Sequence, residues 1–591
     1  MSKEVFLRAS ALLDHGRVGE AARTLDAALV GPVRDPNLVM LRARAFAQQG
    51  EGVRGVELAR SVVDAHPTHV GFRAALAIVL ALAGDSDGSI EAYRQALAGG
   101  MDADPQIHAG LAAEQNRAQR FAEAAATARA GLARFAGDPA LTLELGHALA
   151  GLGRSDEAVR LLLALAPQHP ANTPLHEAIA YFCNYTAGAD PSLVLHSHRH
   201  YGRIVAHYNP PIAEPLVVDR TPGRRLRVGV ISSDLGKHVV AVFLAPIFER
   251  LDRDRFELFA YSTAAHPDDE PNRALFRRTS TLRDVAGTPP EEVARTIRRD
   301  RIDILIETNG LTRSHAQPVL ARRAAPVQVT YLGYPNTTGC PNIDVRLVDA
   351  LTDPPTADGF SSERLARMTG CFLCFTPPAE APAVSELPCA RAADAPFTFG
   401  SFNNVRKATD PLLRTWARLL EAVPGSRVLV KSPQFLHRSN GDDLVRRFAE
   451  AGGDPARMVL SRPQRVSHDH LAAYSQVDVA LDTFPYCGTT TTCEALFMGV
   501  PVVSFAGQAE RPRHCSRVGL SLLTALGHPE WAANSADEYI ATARRLASDR
   551  PALASIRAGL RAEMLAGPLC DGAGFAERFG DALARIWAAS A

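Results

Sequence analysis

A chain of 591 residues is too long for a single hydrophobic core and divides into several domain-sized units. It is 46% hydrophobic and 22% charged, a globular composition, and Lys plus Arg balance Asp plus Glu at 64 each. That balance excludes wholesale neutralisation of a phosphate backbone, so nucleic acid is not an expected partner.

The longest uncharged apolar stretch, Ala74 to Gly84, is well short of the ~20 residues of a membrane helix, so no membrane span is expected. The first residues, with Lys3, Glu4 and Arg8, lack the apolar run of a signal peptide. Nine scattered cysteines read as reduced thiols, which places the protein in the cytoplasm.

Residues 1–170 are rich in Ala, Leu and Arg and carry a repeat. Gly16, Gly50 and Gly84 are 34 residues apart, and two further steps reach Ala118 and Leu152, beside Gly151 and Gly153. Twelve residues after each mark stands a small or β-branched residue: Ala28, Val62, Ala96, Ala130 and Ala164. Pro36, Pro67, Pro105, Pro139 and Pro170 close the units. Glycine ends one helix, a small residue lets the second approach, and proline stops it, which predicts stacked helix hairpins. The period resembles that of tetratricopeptide repeats, about five of them, whose concave groove would hold a polypeptide partner. The alternative is a helical array that serves only to pair two copies of the chain into a homodimer.

Residues 171–225 form a junction with His196, His198, His200 and His207. His196 and His200 share a helix face, but no Cys or carboxylate completes a metal set at familiar spacing, so a helix packed on the next domain is expected. Pro210, Pro211, Pro215 and Pro222 mark an extended linker.

From Leu226 short β-branched runs alternate with helical stretches. Strands are predicted at Arg227–Ile231, Glu257–Tyr261, Ile302–Glu307, Val327–Tyr331 and Val345–Val348. After a Pro- and Ala-rich connector, a second set follows at Phe397–Phe402, Arg427–Val430, Met458–Leu460, Val477–Leu481 and Val500–Phe505. The fold class expected is a helical solenoid followed by two Rossmann-like α/β lobes, residues 226–395 and 396–591, with ligands at the carboxyl ends of the strands.

The loop after Val477–Leu481 reads D-T-F-P-Y-C-G-T-T-T-T-C-E-A-L-F-M-G-V-P from Asp482. Four threonines before an apolar helix exceed what one cap requires and predict a phosphate cradle, with Glu494 placed to accept the hydroxyls of a ribose. The loop after Phe397–Phe402 brings Asn404 and Lys407 before another helix, a cation suited to a departing diphosphate. In the first lobe, S-S-D-L-G-K-H from Ser232 puts His238 at the cleft, where a structural and a catalytic role are equally open.

These loops, with R-V-G-V-I-S-S-D-L-G-K-H, D-I-L-I-E-T-N-G-L-T, A-P-V-Q-V-T-Y-L-G-Y-P-N-T-T-G and F-N-N-V-R-K, make residues 226–588 resemble the catalytic region of the O-linked N-acetylglucosamine transferase family. The resemblance implies a GT-B glycosyltransferase behind tetratricopeptide repeats, with a nucleotide-sugar donor. It implies an active-site role for His238 and a diphosphate contact for Lys407. It implies donor contacts for Asn404 and His470, phosphate contacts for Thr490 and Thr491, and a ribose contact for Glu494. Asp303 and Thr489 stand where animal members have His, and Glu494 where they have Asp, which leaves the donor sugar and nucleotide open.

The reaction implied is inverting O-glycosylation of Ser or Thr, with His238 or a donor phosphate oxygen taking the proton. No Asp-x-Asp lies at either lobe's mouth, so neither a metal nor another cofactor is expected. Two donors are carried forward: a UDP-GlcNAc-like sugar, or a CMP-linked nonulosonic acid such as pseudaminic acid, transferred to flagellin. The competing reading is a repeat scaffold on a degenerate transferase domain. Cys371 and Cys374 form a lone C-x-x-C in an apolar run, expected to be buried rather than to bind zinc.

Overall fold

The computed structural model describes residues 2–30, 34–267, 269–392, 394–464 and 467–590. The chain separates into two compact units, Met1–Leu152 with His437–Asn440, and Gly153–Leu436 with Gly441–Ala591.

The first unit is all helix, from Ser2–Asp14 to Pro139–Gly151. The turns within the hairpins carry left-handed residues at Gly16, Gly50, Gly84 and Gln119, and Gly153 continues the series. The fourth mark therefore lies one residue beyond Ala118: this repeat is longer by one and makes its turn without glycine. Of the five small residues expected at the close approach, Val62 and Ala96 are buried, but Ala28 and Ala130 are exposed, as is Ala164 in the second unit. The residues five after each turn, Ala21, Gly55, Ser89, Ala124 and Ala158, are all buried. At Gly55 a Cβ would lie 2.6 Å from the Ala43 carbonyl oxygen, so the two helices touch backbone to backbone. The prolines also act differently. Pro36, Pro105 and Pro139 occupy first helical positions, behind Asp35, Asp104 and Asp138 whose carboxylates cap the helix. They open the next unit because proline lacks only an N–H that would be unpaired there.

The second unit opens with three helices, Ser155–Leu165, Thr173–Cys183 and Pro191–Tyr208, and continues into two parallel sheets. The first has seven strands: β1 (Leu226–Ser232), β2 (Phe256–Ser262), β3 (Thr281–Asp284), β4 (Ile304–Glu307), β5 (Val327–Thr330), β6 (Val345–Asp349) and β7 (Arg364–Met368), in the order β3-β2-β1-β4-β5-β6-β7. The second has six: β8 (Thr398–Ser401), β9 (Arg427–Lys431), β10 (Met458–Ser461), β11 (Val479–Leu481), β12 (Val502–Phe505) and β13 (Ala532–Ala533), in the order β10-β9-β8-β11-β12-β13. All ten predicted strands are present. The order reverses between β1 and β4 and between β8 and β11, and such switch points open a crevice at the strands' carboxyl ends. The final helix, Gly572–Ala588, packs on the first lobe, with Phe579 5.4 Å from Tyr331 between ring centroids.

Of the junction histidines, His198 is structural. His198 is buried, donates from Nδ1 to the Val194 carbonyl at 2.7 Å, and accepts at Nε2 from the Tyr334 hydroxyl at 2.7 Å. The same hydroxyl accepts from Asn184 at 2.7 Å. Burial pulls the His198 imidazole down to about 4, so the ring is neutral. No group of three or more His, Cys, Asp or Glu placed to hold a metal exists among the described residues, and none of their helices is long and apolar enough to cross a membrane.

Candidate active site

The loops after β8 and β11 meet at Asn403 and Asp482. Asp482 Oδ1 accepts the amides of Thr483 at 2.8 Å and Gly488 at 2.5 Å, and Oδ2 accepts the Ser504 hydroxyl at 2.7 Å. The Asn403 amide donates to Asp482 at 3.4 Å, while its oxygen accepts from the Thr491 hydroxyl at 3.2 Å and from Lys407 Nζ at 3.4 Å. Lys407 Nζ also donates to the Cys487 carbonyl at 2.7 Å and lies 4.2 Å from the Tyr486 ring centroid. Burial pulls the Lys407 ammonium below its ordinary value, although Asp482 works in the opposite direction. A cation held this way, short of counter-charge, is suited to an incoming anion.

Thr489 precedes the Thr490–Phe497 helix, and among the described residues its hydroxyl makes no capping bond. The first amides of that helix are thus left for another acceptor. Asn404 is exposed and accepts the Arg406 amide at 3.0 Å.

Asn404, Lys407, Thr489, Thr490 and Thr491 line one cavity of about 420 Å³ between the lobes. Its opposite wall is Val239, Val240 and Phe243 from the Val239–Arg250 helix, with Leu332, Gly333 and Phe372. His238 caps that helix, with Nδ1 accepting the Val240 amide at 3.3 Å and lying 3.4 Å from Asp234. Asp234 is held in turn by Asn309 at 2.9 Å, so the loops after β1 and β4 are tied together. Gly333 fits because a Cβ there would stand 1.8 Å from the Thr308 carbonyl oxygen.

His470 and Glu494 form a separate cluster behind the threonines. Lys431 Nζ donates to His470 Nδ1 at 3.0 Å, and His470 Nε2 donates to Glu494 at 3.0 Å. Burial pulls the Lys431 ammonium down to about 8, against a smaller opposing effect of Glu494. Phe402 and Tyr474, with centroids 4.4 Å apart, wall this cluster. Asp303 lies outside both groups. It precedes β4, at the amino end of the sheet, and pairs with Arg224 at 2.6 Å, so its difference from animal members is remote from the cavity. Reading the sequence missed Asn403, Asp482 and Lys431 as site-builders, though Asn403 and Asp482 begin the quoted loops.

Two doubly wound lobes enclosing an anion-suited cavity define a GT-B nucleotide-binding enzyme fold. The chain matches the family described as glycosyl transferase family 41 over residues 199–376 and 389–578, and it belongs to that family. Residues 6–70 and 41–106 match tetratricopeptide repeats. A mutant of the O-GlcNAc transferase of Thermobaculum terrenum superposes over 95% of this chain and 99% of its own, with a TM-score of 0.77 and 28% identity. A tomato (Solanum lycopersicum) relative named as the probable UDP-N-acetylglucosamine–peptide N-acetylglucosaminyltransferase SPINDLY is 38% identical over 407 residues. The Arabidopsis thaliana relative carrying the same enzyme name and called SEC is 30% identical over 423 residues. Each alignment covers 68% of this chain but only 43% and 41% of those longer proteins.

Proposed function

We propose that this protein is a protein O-glycosyltransferase that moves a sugar from a nucleotide-sugar donor to Ser or Thr of a polypeptide selected by the repeats, with inversion at the anomeric carbon. The observation that carries the reading is a single interlobe cavity in which Lys407 and the open start of the Thr490–Phe497 helix face an apolar wall. Lys407 and Thr490–Thr491 take the charge of the departing phosphate, an effect worth several kcal/mol in a closed cleft. Asn404 and Thr489 border the sugar, His470 and Glu494 hold the nucleoside, and His238 orients the acceptor.

The donor is a UDP-GlcNAc-like sugar, supported by the names of the plant relatives. A CMP-linked pseudaminic acid with flagellin as acceptor is the second reading; it rests on Thr489, a small side chain lining the cavity where animal members have a ring. The degenerate scaffold is disfavoured by the bonded Lys407–Asn403–Thr491 cluster. Nine free cysteines favour the cytoplasm.

Thermal unfolding with UDP, GDP, dTDP and CMP tests the reading, on the wild type and on Lys407→Ala. A nucleotide at ~100 times its Kd adds about 2.7 kcal/mol. A UDP-selective shift lost in the variant supports the N-acetylhexosamine donor, a CMP-selective shift supports the nonulosonic acid, and no shift with any nucleotide supports the scaffold.

A further inference from the structure

The cavity is lined by a histidine that no motif singled out. His514 lies in the loop after β12, lines the cavity, and is 6% exposed. Its Nδ1 is 2.5 Å from Asp353 Oδ2, and Arg346 binds Asp353 Oδ1 at 3.2 Å. The Phe372 ring packs against the imidazole at 4.9 Å and 78°. Charged groups surround this pair from both lobes: Asp349, Arg346 and Asp353 from the first, Arg513 and Arg517 from the second. Burial lowers the imidazole's pKa; burial also works to raise that of Asp353, but Arg346 and His514 outweigh it and hold the carboxyl ionised. The ring is therefore neutral, with its hydrogen on Nδ1 toward Asp353. Its Nε2 lone pair meets no protein hydrogen-bond partner among the described residues.

His238 has the reverse polarity. Its Nδ1 accepts the Val240 amide, so its neutral ring carries the hydrogen on Nε2 and is a donor. His514 also joins the anion site through the backbone: the adjacent Cys515 carbonyl accepts the Cys487 amide at 2.8 Å, and the Cys487 carbonyl holds Lys407.

We propose that His514, oriented by Asp353, accepts the proton of the attacking hydroxyl; the proposal rests on the glycosyl-transfer reading. The hydroxyl oxygen bonds to the anomeric carbon as the carbon–oxygen bond to phosphate breaks, and that electron pair leaves with the nucleotide toward Lys407. The proton passes to Nε2 and later to solvent, while the other hydrogen stays on Nδ1, bonded to the Asp353 carboxylate, so Asp353 is a positioning residue.

The test uses the full chain, UDP-GlcNAc and CMP-pseudaminic acid as donors, and a pool of Ser/Thr peptides, following nucleotide release. His514→Gln is expected to lower kcat about 10²–10⁴-fold, with donor KM and the nucleotide-induced unfolding shift unchanged. Asp353→Asn is expected to lower kcat with the same unchanged KM. In the wild type, log kcat falls as acid protonates the imidazole, and the residual rate of His514→Gln lacks that limb. A folded His514→Gln with kcat within about threefold of wild type overturns the proposal, as does a donor KM that rises in step with the loss of kcat. If neither variant folds, a wild-type kcat with no acid limb down to the lowest pH at which the protein stays folded overturns it. Failure of the wild type to turn over either donor or to respond to UDP or CMP overturns the transfer reading and this proposal together, a result distinct from loss of the proposal alone.

Discussion

Lys431 Nζ donates to His470 Nδ1 at 3.0 Å, which fixes the remaining hydrogen of the imidazole on Nε2, facing Glu494. The three side chains come from β9, the Ser467–Ala472 helix and the Thr490–Phe497 helix, so one ring registers three elements of the second lobe. The folded ammonium titrates at about 8 against an ordinary 10.5. The unfolded chain therefore binds more protons between those values, and stability rises with pH through that window. Lys431→Met is expected to remove this group's contribution, making the change of stability with pH less positive than in the wild type; urea unfolding of both proteins from pH 7.5 to 10.5 measures it.

Lys407→Ala is expected to lower turnover on the order of 10²–10³-fold, the scale of removing one preorganised charge-stabilising group. Because the side chain is only half-buried, the unfolding temperature should move little. Initial rates of nucleotide release beside a thermal melt check both statements, and full activity in the variant would remove Lys407 from the reaction.

His198 behaves oppositely to a surface histidine. Its folded value of about 4 lies below the ordinary 6.5, so acid favours the unfolded chain, and stability falls as pH drops through that interval. The loss attributable to this ring is roughly 3 kcal/mol at 1.36 kcal/mol per unit. His198→Asn, compared with wild type at pH 7.5 and 4.5, should show a smaller difference between the two pH values.

Gly55→Ala is expected to destabilise the repeat unit by roughly 1–3 kcal/mol, as overpacking does, although alanine is the better helix former. A Cβ at 55 meets a backbone oxygen at 2.6 Å, while one at Gly19 has only the end of Arg23 at 3.8 Å. Gly19→Ala should therefore hold or raise the unfolding temperature in the same calorimetric scan.

The parallel core strands were legible because burial on both faces writes them as unbroken apolar runs. Three of the four edge strands were not, β10 being the exception. β3 (T-L-R-D) and β7 (R-L-A-R-M) carry arginines and lean on one neighbour, and β13 is two residues long. The repeat period was visible, but the meaning of its marks was not: a 34-residue count says nothing of which small residue faces a carbonyl oxygen. In the cavity Lys407 lies in a loop, and the threonines lie at the start of a helix that follows one, and the composition of both stretches departs from ordinary turns. Lys431, Asp353 and His514 come from separate elements, and only the folded chain brings each to its partner, so no local pattern marks them.

The contact of Gly333 with Thr308 has an evolutionary consequence. Any side chain at 333 would collide with a main-chain oxygen, and that oxygen cannot retreat while the adjoining Asn309 is bound to the loop after β1. Position 333 is therefore closed to stepwise mutational change. The shape of the cavity can change only at its other positions, such as Asn404 and Thr489 on the facing side, where side chains can change size without moving the backbone.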